Sequence, residues 1–437
     1  MKKMNRRALS VALIAIFVAT GLLIYVQRYL MYGANWASYF SRLNSLSEGI
    51  VTDRNGDLLA VFTANDNHFN EDRATRIANY HVTGDFWDRT GTGILTNFAR
   101  QLHSFSPITG MTQDKHIELQ LNIDAQINKK AYAALAERKG AVGVVNYRTG
   151  ELICMVSSPA VDPMDNDPAA AEGAYINRLL SSSFTPGSIF KLVTAATAIE
   201  TLSTIWQRTF YCEGSAEVAG VEITCPYEHY TQDFAGALAV SCNIAFSRIA
   251  ISIGQDEMIK HVRRWGFLDT HDLDGIPTAA GNYPLEFVGD PETGWSGIGQ
   301  STDLVCPYSM LRFVSAIAND GILCEPKMIN DGKPAEKSVL VEPSTAKEMQ
   351  RLMRNNVIVT YGDDRFPGLT VCGKTGTAEV GEGLTSHAWF TGFLLDEEHP
   401  YAFIVFVENG GGGLSVATPI ANTVLQAAVR RGTDMEY

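Results

Sequence analysis

The sequence lacks an excess of basic residues and the common short metal-binding patterns. Its 437 residues include 35 lysines and arginines against 48 acidic residues, so the net charge at pH 7 is −13. This acidic balance argues against nucleic acid as a partner, because phosphate binding depends on basic patches. No C-x-x-C pair and no H-E-x-x-H run occurs, and we therefore expect no metal site.

The chain also lacks the biased composition of disordered or fibrous proteins. Hydrophobic residues make up 46% and charged residues 19%, and 38 glycines and 16 prolines are spread along the chain. This balance excludes a disordered, collagen-like or low-complexity protein. The length predicts about two to three domains, and a chain of this size buries enough surface to fold without disulfides.

One long uncharged run lies near the N-terminus. Residues 8–26 would reach about 28 Å as a helix, close to the roughly 30 Å hydrocarbon core of a bilayer. Four basic residues within residues 1–7 precede the run, and Arg28 alone follows it closely. This asymmetry predicts a cytoplasmic N-terminus (1–7), an uncleaved single-pass anchor (8–26) and an extracytoplasmic remainder. The alternatives are a cleaved signal peptide, whose apolar region is shorter, and a buried core helix.

Seven cysteines are present, an odd number that leaves at least one unpaired within a monomer. Cys212 and Cys225 flank a hairpin-like stretch. A tight turn at Ala219–Gly220 would not place these two cysteines opposite each other, whereas a bulge or a longer loop would. A disulfide between them therefore stays open in an exported domain. The other cysteines lie in apolar runs and are expected to be buried hydrophobic residues.

The remainder of the chain divides into two parts. Residues 27–117 are polar and mixed, and Ile50–Phe62 reads as two strands around Asn55–Gly56, a strong hairpin signal. Because this part carries no catalytic pattern, we expect a small N-terminal pedestal domain. From residue 118 onward, strand-like and helical runs follow each other regularly.

The pattern of residues 118–437 predicts an antiparallel sheet packed against helices. A helix capped by Asp124 is expected, with Ile127, Ala131 and Leu135 on its apolar face. Strands are predicted on both sides of the Thr149–Gly150 turn and on both sides of residues 396–400, and the last segment, 419–432, is helical. The middle, roughly 185–330, reads as mostly helix and loop.

The first chemical motif is Ser188 followed three residues later by Lys191. Pro186 and Gly187 interrupt the chain before an apolar helix, so both side chains are expected on one face of the helix start. A serine hydroxyl needs a base to become a nucleophile, and a lysine in an apolar pocket has a lowered pKa. The alternative is an ordinary helix start with a serine cap, because S-x-x-K alone is common.

The second motif, Ser241-Cys242-Asn243, interrupts an apolar helical run. A second hydroxyl could relay protons from Lys191, and the Asn243 amide offers both a donor and an acceptor to a substrate carbonyl. The alternative interpretation is a helix cap or kink.

The third motif is Lys374-Thr375-Gly376-Thr377, approached by a strand through Cys372. Lys374 supplies a positive charge, the two threonines supply hydroxyls for a carboxylate, and Gly376 permits close approach to the backbone. The alternative is a phosphate-binding loop, which we set aside because no Walker architecture surrounds the motif.

The three motifs, in this order, resemble the signature of the penicillin-binding proteins and serine β-lactamases. Longer segments are similar to the class B penicillin-binding proteins, the monofunctional peptidoglycan transpeptidases. These segments are 49–60, 140–163, 177–200, 297–329 and 371–379. The short pedestal differs from the larger pedestals of many class B members, and nothing resembling a glycosyltransferase domain precedes it.

The resemblance implies an α+β fold. It places a penicillin-binding protein/serine β-lactamase-like transpeptidase domain at 118–437, with an antiparallel sheet flanked by helices and an all-helical subdomain. The pedestal (27–117) and one transmembrane helix (8–26) would precede this domain.

The resemblance also implies a mechanism. Ser188 would attack the penultimate carbonyl of a stem peptide ending in D-Ala-D-Ala, with Lys191 as its base. The N–H groups of Ser188 and Thr377 would bind the oxyanion, and Ser241 would pass a proton to the leaving D-Ala. An amine from a neighbouring stem peptide would then resolve the acyl-enzyme, and β-lactams would acylate Ser188 and remain bound.

Substrate binding is implied for the other motif residues. Asn243 would orient the donor peptide, and Lys374, Thr375 and Thr377, with Gly376 between the threonines, would hold the terminal carboxylate. No metal or organic cofactor is implied. A membrane glycosyltransferase of the cell-wall machinery is the implied protein partner.

Three alternatives remain on the same residues. A D,D-carboxypeptidase gives the acyl group to water and differs in groove shape. A serine β-lactamase needs fast deacylation, but no E-x-x-L-N segment occurs between 244 and 373, and Asn243 stands where the class D enzymes usually carry valine. A non-catalytic scaffold is disfavoured because all key side chains are intact.

Overall fold

The structure, a computed structural model, describes most of the chain. The described residues are 6–32, 48–62, 67–102, 105–106, 110–111, 116–165, 170–284, 289–381 and 383–433.

The helices range from single turns to segments of up to 27 residues. They are α1 (Arg6–Tyr32), α2 (Arg73–Ala78), α3 (Tyr80–Thr83), α4 (Ile94–Asn97), α5 (Ala99–Leu102), α6 (Ala125–Leu135), α7 (Lys191–Thr201), α8 (Phe234–Ala239), α9 (Asn243–Ile253), α10 (Gln255–Arg264), α11 (Asp290–Ser296), α12 (Pro307–Ala318), α13 (Pro343–Asn356) and α14 (Thr418–Thr433). Short 3₁₀ turns span Gly187–Phe190, Ile205–Gln207 and Asp363–Arg365, and π-helical turns span Val357–Tyr361 and Gly413–Ala417.

The strands form one large sheet and several small ones. They are β1 (Glu48–Thr52), β2 (Leu58–Phe62), β3 (Asn67–Phe69), β4 (Phe105–Ser106), β5 (Gly110–Met111), β6 (His116–Gln120), β7 (Gly140–Asn146), β8 (Leu152–Ser158), β9 (Thr209–Cys212), β10 (Ser215–Val218), β11 (Val221–Thr224), β12 (Tyr230–Asp233), β13 (Asp272–Leu273), β14 (Ile276–Pro277), β15 (Ile322–Cys324), β16 (Lys337–Val339), β17 (Val371–Ala378), β18 (His387–Leu394) and β19 (Tyr401–Val407).

The large sheet is antiparallel throughout, in the order β17-β18-β19-β7-β8. Successive residues of a strand point to opposite faces. On β19, Ala402, Ile404 and Phe406 therefore belong to the core shared with α12, whereas Phe403 and Val405 belong to the core shared with α6 and α14. Because helices cover both faces, the central strands read as continuous apolar runs instead of alternating ones.

The expected elements of the C-terminal part are confirmed. The Asp124 side chain accepts hydrogen bonds from the N–H groups of Gln126 and Ile127 and caps α6. Ile127, Ala131 and Leu135 are buried, as their spacing predicted. The expected α+β fold, with an antiparallel sheet between helices, is thus the one observed.

The N-terminal part contains the predicted hairpin and additional helices. β1 and β2 pair antiparallel around Asn55–Gly56, and β6 pairs parallel to β1. The sequence indicated strands but not α2 to α5, which are too short to show a helical period. Arg76 of α2 holds the buried Asp162 through two hydrogen bonds of 2.9 and 2.7 Å. The predicted division between 117 and 118 falls inside β6, and it stays a prediction.

The uncharged N-terminal run forms one helix, α1. An 18-residue window within Ala8–Tyr29 has a mean hydropathy of 2.6, and the helix is long and apolar enough to cross a membrane. Residues 1–5, most of the predicted cytoplasmic N-terminus, lie outside the described residues. The orientation of α1 in a membrane stays a prediction.

The middle of the chain is mostly helix and loop, as expected, with three two-stranded sheets added, β9–β12, β10–β11 and β13–β14. β10 and β11 are joined by Ala219–Gly220, whose φ values of 52° and 85° suit a tight hairpin turn. The Cys225 N–H bonds to the Gly214 carbonyl at 2.7 Å, so Cys225 is not opposite Cys212 in this hairpin. Both cysteines are free thiols, and the disulfide considered between them is not formed.

Candidate active site

The fold brings the three sequence motifs to one place. Ser188 lies in the 3₁₀ turn before α7, and Lys191 is the first residue of α7. Ser241 lies in the short break between α8 and α9, and Asn243 is the first residue of α9. The third motif lies on the edge strand β17 of the large sheet. Residues separated by 186 positions in the sequence therefore face each other.

Lys191 is the centre of this arrangement. Its Nζ lies 3.0 Å from Ser188 Oγ and 3.2 Å from Ser241 Oγ. The same nitrogen donates to the Ser241 carbonyl oxygen at 2.7 Å and to Asn243 Oδ1 at 2.6 Å. The side chain is fully buried, so these four oxygens replace its hydration shell.

Burial of Lys191 favours its neutral amine. The Ser241 carbonyl and Asn243 Oδ1 only accept hydrogen bonds, so they take two N–H groups of the lysine. A neutral amine has two N–H groups and one lone pair, which leaves the lone pair for a serine hydroxyl. Burial lowers the pKa of Lys191 from 10.5 to about 8. In its neutral form, Lys191 therefore has the contact that a base for Ser188 requires.

Ser241 connects the two lysines of the site. Lys374 Nζ donates to Ser241 Oγ at 2.9 Å and to the Thr375 carbonyl at 2.9 Å. Burial, with Lys191 nearby as a second cause, places the pKa of Lys374 well below 10.5. Ser241 has a φ of 59°, a left-handed conformation that costs a non-glycine residue free energy. Such strain persists only where the surrounding structure holds the residue in place, and strained residues are concentrated at functional sites.

Two glycines let the Ser188 turn contact β17. A Cβ on Gly187, whose φ is 54°, would lie 2.7 Å from the Thr377 carbonyl oxygen and 2.9 Å from Ala378. A Cβ on Gly376 would lie 3.0 Å from the Pro186 carbonyl oxygen. The nucleophile turn and the edge strand are thus as close as backbone atoms permit, which places the Ser188 and Thr377 regions side by side.

Tyr361 is a site residue that the sequence did not reveal. Its buried hydroxyl lies 3.1 Å from the Thr375 N–H and 3.2 Å from Thr375 Oγ1. It reaches the strand from the π-helical turn after α13, and no short motif links these segments. Thr377 Oγ1 accepts a hydrogen bond from the Gly413 N–H at 3.3 Å. Hydrogen bonds with Tyr361 and Gly413 therefore hold Thr375 and Thr377 in place.

The Asn243 amide is largely committed to the protein. Its Oδ1 accepts from Lys191, and its Nδ2 donates to the Thr224 carbonyl at 2.7 Å. One N–H of the amide remains for a ligand. The hairpin β10–β11, which carries Thr224, is thereby attached to the site.

A cavity of about 270 Å³ opens above these groups. The predicted residues Ser188, Ser241, Asn243, Thr375 and Thr377 line it, whereas the two lysines lie beneath its floor. The sequence did not indicate the other lining residues, which are Thr224, Pro226, Tyr227, His229, Val240, Trp295, Ile298, Gln300 and Glu379. They lie in loops, in helices and at the end of strand β11, and their contact with the cavity depends on the whole fold.

The phosphate-loop alternative does not fit the structure. The run from Gly368 to Thr375 matches the spacing G-x-x-x-x-G-K-T. In the structure, however, Lys374 and Thr375 lie inside β17 and pair with Thr391 and Phe390 of β18. A phosphate loop instead needs a loop that leads into a helix N-terminus, so this alternative is excluded.

Two named proteins are similar in sequence to most of the chain. The peptidoglycan D,D-transpeptidase PbpA of Mycolicibacterium smegmatis is 28% identical over 356 residues, covering 71% of this chain and 72% of that protein. Stage V sporulation protein D of Bacillus subtilis is 28% identical over 345 residues, covering 71% of this chain and 53% of that protein. The resemblance seen in the motifs therefore extends over most of the folded region.

A solved structure and a family model agree with this resemblance. Penicillin-binding protein A from M. tuberculosis, solved as a penicillin G acyl-enzyme complex, superposes with a TM-score of 0.74 at 23% identity, covering 87% of this chain and 99% of that one. The model of the penicillin-binding protein transpeptidase domain matches residues 140–426. The chain therefore belongs to the penicillin-binding protein transpeptidase family.

Proposed function

We propose that this protein is a serine D,D-transpeptidase that crosslinks peptidoglycan stem peptides, and that β-lactams acylate the same serine, Ser188. Support comes from the family, from the D,D-transpeptidase activity in the name of the M. smegmatis relative, and from the acyl-enzyme described for the M. tuberculosis protein. The alternatives on this fold differ in what accepts the acyl group.

One observation carries the proposal. Lys191 Nζ lies 3.0 Å from Ser188 Oγ, while its two N–H groups are taken by the Ser241 carbonyl and Asn243 Oδ1. In the neutral amine, the lone pair is therefore directed to a serine hydroxyl at the edge of an open cavity. A nucleophile within hydrogen-bond reach of its base is the arrangement that covalent catalysis requires.

The chemistry follows from these contacts. Lys191 takes the Ser188 proton as Oγ bonds to the penultimate carbonyl carbon, and the N–H groups of Ser188 and Thr377 stabilise the oxyanion. The C–N bond then breaks, and Ser241 gives a proton to the leaving D-Ala nitrogen. Ser241 recovers a proton from Lys191, which lies 3.2 Å away. An acceptor amine completes the crosslink by attacking the acyl-serine.

We propose different roles in substrate binding for the residues of the third motif. The hydroxyls of Thr375 and Thr377 line the cavity and bind the terminal carboxylate. Lys374 is fully buried beneath the cavity and donates a hydrogen bond to Ser241 Oγ. We propose that its positive charge attracts the carboxylate and stabilises Ser241 without direct contact with the carboxylate. Asn243 orients the donor peptide through its remaining N–H.

Acyl-enzyme mapping tests the proposal. The full-length protein in detergent is treated with a fluorescent penicillin, digested, and analysed by mass spectrometry. We expect one adduct, on the peptide containing Ser188, with slow release over time. We also expect a D-Ala-D-Ala stem peptide and an amine acceptor to give a crosslinked product. Folded protein without an adduct would contradict the proposal; hydrolysis alone would indicate a carboxypeptidase, and rapid release a β-lactamase.

The rate of acylation is expected to rise with pH and to reach half its maximum near pH 8. Lys191 works as a base only when neutral, and burial lowers its pKa to about 8. The polar groups facing it are Ser188, Ser241, Asn243, the Lys374 ammonium beyond Ser241, and the thiols of Cys225 and Cys242. The measurement is the second-order rate constant for penicillin acylation from pH 6 to 10. A midpoint near 10.5 would contradict a lowered pKa.

Replacing Gly187 with alanine is expected to lower that rate constant by about 100-fold, because a misplacement near 1 Å costs about this much. The new Cβ would clash with the Thr377 carbonyl and separate the nucleophile turn from β17. Gly332→Ala is the matched control. Gly332 also has a positive φ, 70°, but its Cβ would meet nothing within 4 Å. Equal effects of both substitutions would show that backbone strain, and not the clash, is responsible.

We further propose that α1 anchors the protein with the catalytic domain outside the cytoplasm, and that a membrane glycosyltransferase is its partner. The uncharged run of α1 and the basic residues before it support this orientation. Protease treatment of intact spheroplasts should remove a C-terminal tag and spare an N-terminal one; the opposite pattern would contradict the orientation. Co-purification of a glycosyltransferase that depends on α1 would support the partner.

A further inference from the structure

Four potential metal ligands meet directly behind the second motif. Cys212 ends β9, Cys225 follows β11, His229 precedes β12, and Cys242 is the central residue of the Ser241-Cys242-Asn243 motif. Their ligand atoms all lie within 4.8 Å of one another. Cys212 and Cys242 are buried, and Cys225 and His229 are half-buried. The reaction proposed above uses none of these four side chains.

The spacing of the four atoms fits one tetrahedral ion. Zinc binds sulfur at about 2.3 Å and imidazole nitrogen at about 2.0–2.1 Å, so the edges of a tetrahedral site are about 3.8 Å between sulfurs and about 3.5 Å between sulfur and nitrogen. Cys225 Sγ lies 3.9 Å from Cys242 Sγ, and Cys212 Sγ lies 3.4 Å from His229 Nδ1. Both distances match the edges of such a site.

Backbone donors already face two of the sulfurs. The Asn243 N–H donates to Cys225 Sγ at 3.1 Å, and the Ala245 N–H donates to Cys242 Sγ at 3.4 Å. Both groups belong to the first turn of α9, an 11-residue helix. Hydrogen bonds from backbone N–H groups, together with the positive end of the helix, stabilise thiolates, the form in which cysteine binds metal.

We propose that Cys212, Cys225, His229 and Cys242 bind one structural Zn²⁺ ion. Three thiolates and one imidazole are a ligand set typical of structural zinc, whereas Ca²⁺ and Mg²⁺ require oxygen ligands. Four protein ligands leave no position for water or substrate, so the ion has no direct part in the chemistry. Binding replaces the thiol protons, which leave to solvent, and no oxidant or reductant is involved.

The ion positions the second motif. A bond to Cys242 fixes the residue between Ser241, whose Oγ contacts both lysines, and Asn243, which holds Lys191. The same ion holds Cys225, next to Thr224, whose carbonyl accepts from Asn243. The zinc thus links the hairpin segment 209–233 to the site. The four residues are positioning residues, because they act through their neighbours.

Metal content is the direct test. The full-length protein is purified in detergent under reducing conditions and its metals are measured by mass spectrometry. We expect about one zinc per chain, lost in Cys225→Ser and in His229→Ala. The matched control is Cys324→Ser, a buried free cysteine on β15 that should keep the zinc. Zinc retained in both ligand variants would overturn the proposal.

A second measurement does not depend on how the variants fold. The wild-type protein is stripped with a chelator and titrated with Co²⁺, which should give the visible bands of a tetrahedral thiolate site that Zn²⁺ then removes. Stripping should also slow penicillin acylation at least about tenfold, and zinc should restore it. Reduced protein that binds neither metal would overturn the proposal, as would a Cys225–Cys242 disulfide in protein purified with zinc present.

The zinc proposal and the proposed function fail separately. Metal content and the cobalt spectrum do not require an acylating serine. A protein that binds zinc without forming an acyl-enzyme would refute the proposed function alone.

Discussion

Replacing Ser188 with alanine is expected to abolish covalent labelling by a fluorescent penicillin. Turnover of a stem peptide should fall by a factor on the order of 10⁶, as for other serine nucleophiles. The substitution removes the only atom that would bond to the substrate carbonyl and leaves the Lys191 contacts to the Ser241 carbonyl and Asn243 intact. The measurement is the fluorescence of the protein band and the rate of D-Ala release.

Two controls separate a lost nucleophile from a lost fold. Ser181→Ala changes an exposed serine seven residues earlier and should label like the wild type. The thermal unfolding midpoint of Ser188→Ala should stay within a few degrees of the wild type, because one half-buried hydroxyl is lost. Labelling that persists in Ser188→Ala would move the nucleophile elsewhere. Ser241, whose Oγ lies 3.2 Å from Lys191 Nζ, would be the first alternative to map.

The sequence was sufficient for those parts of the fold that depend on local pattern. The Asn55–Gly56 hairpin, the helix capped by Asp124 and the strands of the large sheet all form where turn residues and apolar spacing place them. The parallel pairing of β6 with β1 has no such local signal, because the two strands lie more than 60 residues apart. Pairing over that distance depends on packing and not on propensity.

The motif residues were predictable as types but not as contacts. No sequence pattern indicates that Lys191 contacts the Ser241 carbonyl as well as its hydroxyl, or that Ser241 has a positive φ. Tyr361 reaches Thr375 from another element and has no motif of its own. The sequence did not predict the cysteine cluster for the same reason. Its four ligands stand thirteen, four and thirteen positions apart on separate elements. A search for C-x-x-C pairs does not detect ligands that only the folded hairpins bring together.

Replacing Lys191 is expected to lower the rate constant for penicillin acylation by about 10³-fold, within the range for loss of a general base. Two variants are informative together. Lys191→Met keeps the length of the side chain without its nitrogen, and Lys191→Arg keeps the charge and the donors. Because arginine stays protonated at every working pH, the Arg variant should be as slow as the Met variant, and its rate should not rise between pH 6 and 10. Lys260→Arg, on the surface, is the matched control.

The two variants distinguish a base from a fixed charge. If Lys191 served only as a cation for Ser241 and Asn243, the Arg variant would retain most of the activity and the Met variant would lose it. Lys374, 2.9 Å from Ser241 Oγ, would then be the remaining candidate base. The lowered pKa of Lys191 argues against this, because burial favours the neutral amine, which can accept the Ser188 proton. The Ser241 carbonyl and Asn243 Oδ1 take the two N–H groups of that amine and leave its lone pair for Ser188, whereas arginine stays protonated and has no lone pair to offer.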